Sequence, residues 1–306
     1  MIRYTLTRLA LLLLGLLVAS VLIFLTLRVL PGDIAQLIAG TNSTPEQIEA
    51  IRERLGLNQP LPLQYLEWIG GYGLAPALSL FSSPFDETVD AAEELESVKR
   101  FADDQASLGM DRTMVSSMAV PGRLAHPAVG ADFDEGRLSR AIDRVGQTCA
   151  ALRSAGIRPL HHSHIGGVFE TEAEIVRLLD DLGPDVIGVG PDTGHLRWAG
   201  IDPAPFIARY ADRIGGIHIK DCFPDFLDGR LDSSDQRSYH ELTGTKRLWA
   251  EPGLGVVDFD AVLAALPAGY DGDLMIEIDE PSVDSRYESY RIAFEWAQHG
   301  LAPVTA

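Results

Sequence analysis

Histidine and acidic side chains follow four apolar segments in the second half of the chain. They lie in His161–His164, Asp192–His195, His218–Asp221 and Glu277–Asp279. Imidazole nitrogens and carboxylate oxygens together suit Mn²⁺, Co²⁺, Zn²⁺ or Fe²⁺. A lone histidine is more often a satisfied polar residue, but four such segments in succession favour a site for one of these divalent ions.

These segments belong to a longer alternation of short strands and amphipathic helices. We predict six strands, near residues 75–81, 113–118, 157–162, 185–189, 214–219 and 273–278. Helices are predicted at 137–155, 172–182, 203–211, 259–266 and 284–298, where apolar residues recur at three- and four-residue spacing. Repeated strand-helix units over residues 72–306 predict an α/β fold, a (β/α) TIM-type barrel. An open doubly wound sheet is the alternative, but no glycine-rich phosphate loop follows the first strand.

Two of the candidate ligands lie between isoleucines. His218 stands between Ile217 and Ile219, and Glu277 is flanked in the same way by Ile276 and Ile278. Since successive side chains of a strand point to opposite faces, His218 and Glu277 are expected to face the barrel interior. A carboxylate buried there needs a partner such as a metal ion.

The charge of the chain is concentrated in its second part. The formal net charge is −19, with 25 basic and 44 acidic residues. Residues 1–70 hold five of each, so the whole excess lies in residues 71–306. Such an acidic surface repels a phosphate backbone, so we expect no nucleic-acid partner. The two cysteines, Cys149 and Cys222, are too few for a disulfide framework.

Several motifs resemble one known family. They read HHSHIGGVFETEAEI, GVGPDTGHLRWAGIDP, RYADRIGGIHIKD, EPGLGVVDFDAVLAAL and YDGDLMIEID. Together and in this order they are similar to the xylose isomerase-like barrel family, and within it to inosose dehydratases and related sugar phosphate isomerases and epimerases. The resemblance covers about residues 72–300.

The resemblance implies a set of site residues. The implied metal ligands are His164, Asp192, His218 and Glu277, the implied catalytic residues are Glu277, His195 and Lys220, and the implied substrate-binding residues are His162, His195 and Lys220. Many epimerases of the family have a glutamate where we place His164, so the histidine favours the dehydratase-like branch.

Each role has a plainer alternative. His164 could be a structural partner of His162, Asp192 a helix N-cap, and His195 a packing residue. Lys220 could form a salt bridge with Asp221.

The resemblance implies a metal-dependent enzyme acting on a small polyhydroxylated substrate. Proton removal next to a carbonyl would give an enediolate, which leads to isomerisation, epimerisation or loss of water. Endonuclease IV-like DNA repair enzymes share the barrel superfamily, but they need more ligands and a basic groove. Assembly into a homo-oligomer is left open.

The N-terminal part has a different character. Residues 9–27 form a run of 19 residues in which only Ser20 and Thr26 are polar. This run predicts one transmembrane helix, at about residues 9–30, with a cleaved signal peptide as the alternative. Residues 1–71 resemble the start of dipeptide/oligopeptide ABC transporter permeases.

The two resemblances predict two domains, a permease-like fragment at 1–71 and a barrel at 72–306. The barrel would lack its first two β/α units, and we expect low stability from the exposed strand edges. The chain would be anchored in a membrane, although barrels of this family are normally cytoplasmic. The alternative function is a permease fragment that carries an inactive, incomplete barrel.

Overall fold

The computed structural model describes residues 77–227 and 237–301, with isolated positions at Glu49, Arg52, Asn58, Pro60 and Leu63. The chain divides into two compact units, Met1–Ala75 and Pro76–Ala306. All elements described below belong to the second unit. The predicted transmembrane helix and the two β/α units expected to be missing concern residues outside the described part, so the incompleteness of the barrel stays a prediction.

Six parallel strands form the frame. They are β1 (Ser79–Ser83), β2 (Arg112–Ser117), β3 (Arg158–His161), β4 (Gly188–Val189), β5 (Gly216–Ile219) and β8 (Asp273–Ile276). The first four form one sheet in chain order. Parallel bridges from Val189 to Ile214 and from Asp192 to His218 continue this order to β5, which pairs with β8. All six predicted strands are therefore present, and their carboxyl ends lie on one side.

Helices connect the strands. They are α1 (Ala91–Ser107), α2 (Pro121–Ala125), α3 (Glu135–Ser154), α4 (Glu172–Leu182), α5 (Thr193–Trp198), α6 (Pro203–Arg209), α7 (Tyr239–Thr243), α8 (Phe259–Ala264) and α9 (Arg286–Gly300). The five predicted helices correspond to α3, α4, α6, α8 and α9. A feature that we did not predict is a short antiparallel ribbon of β6 (Asp221–Cys222) and β7 (Trp249–Ala250).

Side-chain caps begin most of these helices. Asp90, Asp134, Asp202 and Asp258 each accept a hydrogen bond from a backbone N–H in the first turn. Thr171 and Glu174 form a reciprocal capping box at the start of α4. Because these caps satisfy N–H groups that have no partner inside the helix, they fix where each helix leaves its loop.

The core has two parts because strand side chains alternate. One face of the strands packs against the helices, and Val115, Val189, Ile217 and Ile219 belong to this large cluster. The other face forms a small inner cluster of Leu78, Met114 and Leu160, with Met275 packed against it. The inner cluster fills the barrel interior below the carboxyl ends of the strands.

Candidate metal centre

Four side chains converge at the carboxyl ends of the strands. His162, Asp192, His218 and Glu277 each offer one ligand atom, and these atoms all lie within 4.8 Å of one another. Three of them, Asp192, His218 and Glu277, are residues that the sequence predicted as ligands. The fourth is His162, which we had predicted to bind substrate.

Strand alternation explains why His162 takes this place. Leu160 lies in the inner cluster, and His161 packs its ring edge against Phe169 in the outer layer, with ring centroids 5.5 Å apart. The side chain two residues after Leu160 therefore points inward again, above the inner cluster. His162 donates its Nδ1–H to the Gly190 carbonyl at 3.2 Å, which leaves the lone pair on Nε2.

The other three ligands are placed by the neighbouring strands. Asp192 forms a parallel bridge with His218, and the Glu277 N–H donates to the Ile219 carbonyl at 3.1 Å. Asp192 also acts as a helix N-cap, since its Oδ1 accepts from His195 N at 2.9 Å. Its second oxygen remains directed at the site, so the cap and the ligand position coexist in one carboxylate.

The donor set fits a divalent cation. Asp192 Oδ2, His218 Nδ1 and Glu277 Oε2 are buried, face one another and make no hydrogen bond of ordinary geometry among the described residues, although His218 Nδ1 forms an ion pair with Glu277 Oε2. Buried polar groups are costly unless they are paired, so without an ion these carboxylates depend on the charges of His218 and Lys220. Two carboxylates and two imidazoles match the ligand preferences of Mn²⁺, Co²⁺, Zn²⁺ and Fe²⁺. The arrangement supports metal binding, and the identity of the ion stays open.

The protonation states favour this interpretation in part. Burial lowers the pKa of His162 to about 3, so its ring is neutral. Burial would raise the pKa of Glu277, but His218 and Lys220 outweigh it and lower that pKa to about 2. Burial would lower the pKa of His218, but the Asp192 and Glu277 carboxylates raise it to about 9. Without an ion, His218 therefore holds a proton that a metal would displace.

His164, the fourth ligand that the resemblance implies, lies in a different group. It groups with His195 and Asp279, whose ligand atoms also lie within 4.8 Å of one another. Its ring centroid is 3.9 Å from that of His195, and its Nδ1–H donates to the Ile165 carbonyl at 2.7 Å. The chain turns between Ser163 and Gly167, and His164 therefore lies in the second group of side chains and not in the first.

Lys220 stands between the two groups. Its Nζ is 3.1 Å from Asp192 Oδ2, 2.9 Å from Asp279 Oδ1 and 3.6 Å from Glu277 Oε2. The same nitrogen lies 3.1 Å from His195 Nε2. The side chain of Lys220 is 1% exposed. Its partners are therefore these acidic groups and not Asp221, the alternative considered from the sequence.

Asp221 has a different task, which sequence reasoning missed. Its carboxylate accepts hydrogen bonds from the backbone N–H groups of Cys222, Gly253, Gly255 and Val257, at 2.9 to 3.0 Å. A Cβ added at Gly255 would lie 2.2 Å from Asp221 Oδ1. Asp221 thus fixes the loop after β7, and the glycine-rich spacing of that loop was the available signal.

Two other residues, Glu251 and Trp249, contact the residues that surround the site. Glu251 accepts hydrogen bonds from the Ser282 N–H, at 3.2 Å, and from the Ser282 hydroxyl. Trp249 lies under Lys220, with Nζ 5.1 Å from the ring centroid, and meets the His195 ring edge-on at 4.9 Å. The β6–β7 ribbon that we did not predict is therefore what positions Lys220 and His195.

Comparison with known proteins shows which family and which relatives this chain resembles. The chain matches the family described as Xylose isomerase-like TIM barrel over residues 36–299. Inosose dehydratase from Geobacillus kaustophilus (strain HTA426) is 26% identical over 232 residues, which are 74% of each chain.

Two solved structures share the fold. The probable 3-DHS dehydratase AsbF from Bacillus anthracis has a TM-score of 0.60 at 13% identity, with 82% of this chain and 86% of that chain covered. The IolI protein with a bound zinc atom has a TM-score of 0.55 at 15% identity, with 81% and 84% covered.

The family match corrects the prediction of a membrane-anchored location. It begins at residue 36, inside the segment that resembles permeases, and it gives the permease fragment no support. Among the residues that the structure describes, no helix is long and apolar enough to cross a membrane. The apolar run at 9–27 lies outside those residues. With a match that spans most of its length, the chain belongs to the xylose isomerase-like TIM barrel family.

Proposed function

We propose that this protein is a metal-dependent enzyme that removes water from a hydroxy-ketone derived from a cyclic polyol, as the name of its inosose dehydratase relatives suggests. The observation that carries the proposal is the convergence of His162, Asp192, His218 and Glu277, whose ligand atoms all lie within 4.8 Å of one another. Related solved structures include an L-ribulose 3-epimerase, so epimerisation is the second candidate.

The four converging residues would hold the ion. A divalent ion bound there supplies Lewis acidity to a ketone and its neighbouring hydroxyl. His162 and Asp192, both almost fully buried, serve only to bind. The side chain of Glu277 is 35% exposed, so a substrate can reach it as well.

The chain's own residues supply the proton transfers. Glu277, which a substrate can reach, takes the proton from the carbon next to the ketone. Lys220, which is 1% exposed, holds its ammonium group against Asp192 and Asp279, so it fixes both carboxylates and adds a positive charge near the oxygen on which negative charge develops. His195, whose side chain is buried, lies against the His164 ring and positions it beside the site. Glu277 returns the proton it has taken to the hydroxyl on the next carbon, which leaves as water and gives an unsaturated ketone.

The test uses the purified full chain, loaded in turn with Mn²⁺, Co²⁺, Zn²⁺ or Fe²⁺ and incubated with 2-keto-myo-inositol in D₂O. Dehydration yields a product lighter by one water, whereas epimerisation yields a product of unchanged skeleton that carries deuterium. His218→Asn should abolish both reactions, and His126→Asn, at an exposed histidine, serves as the matched control. If no metal-loaded sample releases water or exchanges deuterium, the proposal is refuted.

A further inference from the structure

A second group of potential ligands adjoins the first without sharing a residue. His164, His195 and Asp279 offer three ligand atoms within 4.8 Å of one another. The His164 Nδ1–H is used by the Ile165 carbonyl at 2.7 Å, so the lone pair of this ring lies on Nε2. Two imidazoles and a carboxylate are enough to hold a transition-metal ion with water in the remaining position.

An ammonium group already occupies the neighbourhood of these ligands. Lys220 Nζ contacts two of the three, His195 Nε2 at 3.1 Å and Asp279 Oδ1 at 2.9 Å. It also lies 3.1 Å from Asp192 Oδ2, which belongs to the first group. A second ion bound to His195 and Asp279 would therefore have to come within a few ångströms of a positive charge.

Packing prevents Lys220 from moving aside. A Cβ added at Gly194 would lie 2.6 Å from Lys220 Cγ, so the stem of the lysine runs along the backbone there. The Lys220 N–H donates to Thr193 Oγ1 at 2.9 Å, and the Thr193 hydroxyl donates to the Lys220 carbonyl at 2.6 Å. The Trp249 ring closes the remaining side. The stem of Lys220 is thus confined by Gly194 and Trp249, and its backbone is fixed by the two hydrogen bonds with Thr193.

Counting formal charges shows how many ions the site tolerates. Three carboxylates, Asp192, Glu277 and Asp279, lie within 3.6 Å of Lys220 Nζ. One divalent ion and one ammonium group balance these three negative charges. A second divalent ion would leave two uncompensated positive charges next to the buried Lys220 ammonium group, which is unfavourable.

We propose that Lys220 takes the place of a second metal ion, so that the native centre binds one divalent ion while His164, His195 and Asp279 form a latent second site. Removal of the ammonium group should open that site. The inference rests on the proposed function only for the ion at the first site. The latent site is detected separately, as the difference in metal content between the wild type and Lys220→Met.

Metal content of the full chain provides the test. Wild type, Lys220→Met and the control Lys99→Met, at an exposed lysine, are saturated with Co²⁺, freed of excess ion and analysed for cobalt per chain. We expect one ion per chain in wild type and in Lys99→Met, and one more than wild type in Lys220→Met. The added ion should disappear in Lys220→Met/Asp279→Asn. Equal metal content in wild type and Lys220→Met would overturn the proposal, as would two ions in wild type.

A second variant keeps the test decisive if Lys220→Met does not fold. In the presence of Lys220, His164 holds no ion, so His164→Asn should leave the cobalt content and the visible Co²⁺ spectrum of the native chain unchanged. Loss of an ion in His164→Asn would contradict the inference. A wild type without bound metal, together with one ion in Lys220→Met that is lost in Lys220→Met/Asp279→Asn, would refute the proposed function and support the latent site.

Discussion

His162 and His164 stand two residues apart, yet the structure gives them different surroundings, and this difference can be measured. His162 is 2% exposed and has its Nε2 lone pair free toward Asp192, His218 and Glu277. We predict that His162→Leu weakens binding of the first divalent ion strongly, whereas His164→Leu does not.

The magnitude follows from the number of ligands. Mutation of a residue that hydrogen-bonds to a metal ligand lowers metal affinity by about 10- to 100-fold. Loss of one of the four ligands themselves should therefore lower metal affinity by more than about 100-fold, or about 2.8 kcal/mol. Leucine at residue 162 also leaves the Asp192 and Glu277 carboxylates with one ligand fewer around the same ion. His162→Glu should retain binding, because a carboxylate can replace the imidazole as a ligand.

The assay is competition between the protein and a fluorescent Zn²⁺ chelator at constant pH, with circular dichroism to show that each variant is folded. His164→Leu should stay within about threefold of wild type, since its effect on the ion is indirect. A larger loss in His164→Leu than in His162→Leu would refute the assignment made from strand alternation.

Three further predictions concern stability. Burial lowers the pKa of His161 from 6.5 to about 3. Between pH 6.5 and pH 3 the unfolded chain therefore binds a proton at residue 161 that the folded chain does not, so the free energy of unfolding falls as the pH decreases through this range. His161→Phe should remove about 2 kcal/mol of the stability difference between pH 7 and pH 5, measured by urea unfolding of the metal-free chain, and an unchanged difference would contradict this. Arg123→Met strands the buried Glu174 carboxylate and should cost about 3–5 kcal/mol in the same assay, with Glu174→Gln restoring part of it; a cost below about 1 kcal/mol would count against the pair. Asp221→Asn should cost about 2–3 kcal/mol and accelerate hydrogen exchange at the Gly255 amide, and slow exchange in the variant would show that the loop is held by other contacts.

Much of the barrel could be predicted from periodicity. The strands around His218 and Glu277 alternate isoleucine with polar residues, and the structure places both polar side chains on the inner side. Long amphipathic segments such as α3 were equally clear, because their apolar spacing follows the helical repeat over five turns.

The choice between His162 and His164 as a metal ligand shows where the sequence leaves two candidates. Counting from Leu160 in steps of two gives residues 162 and 164, so strand alternation alone does not separate them. We instead used the position of the histidines within the motif, where three histidines in four residues leave the alignment ambiguous. The structure resolves it because the chain turns after Ser163.

The partners of Lys220 could not be predicted. Asp279 lies 59 residues later in the chain, and contact between them depends on the pairing of β5 with β8. The β6–β7 ribbon was also invisible, because two-residue strands are too short to show a period. Contacts set by tertiary pairing need the fold itself.

The apolar run at 9–27 led to a location that the family match contradicts. Hydropathy alone measures whether a segment is compatible with lipid, and it carries no information about the rest of the chain. The family match over residues 36–299 was the observation needed to correct the location.

The hydrogen bonds that Asp221 makes to the loop after β7 restrict how this protein can be diversified. Gly253 has φ +87° and lies against Trp296, and a side chain at Gly255 would collide with Asp221, so libraries should leave both glycines unchanged. Leu254 and Val256 are exposed at 48% and 38%, and neither donates its N–H to that carboxylate. An engineer who wishes to reshape this loop therefore has two exposed side chains, one on each side of Gly255, to randomise on a backbone that keeps its conformation.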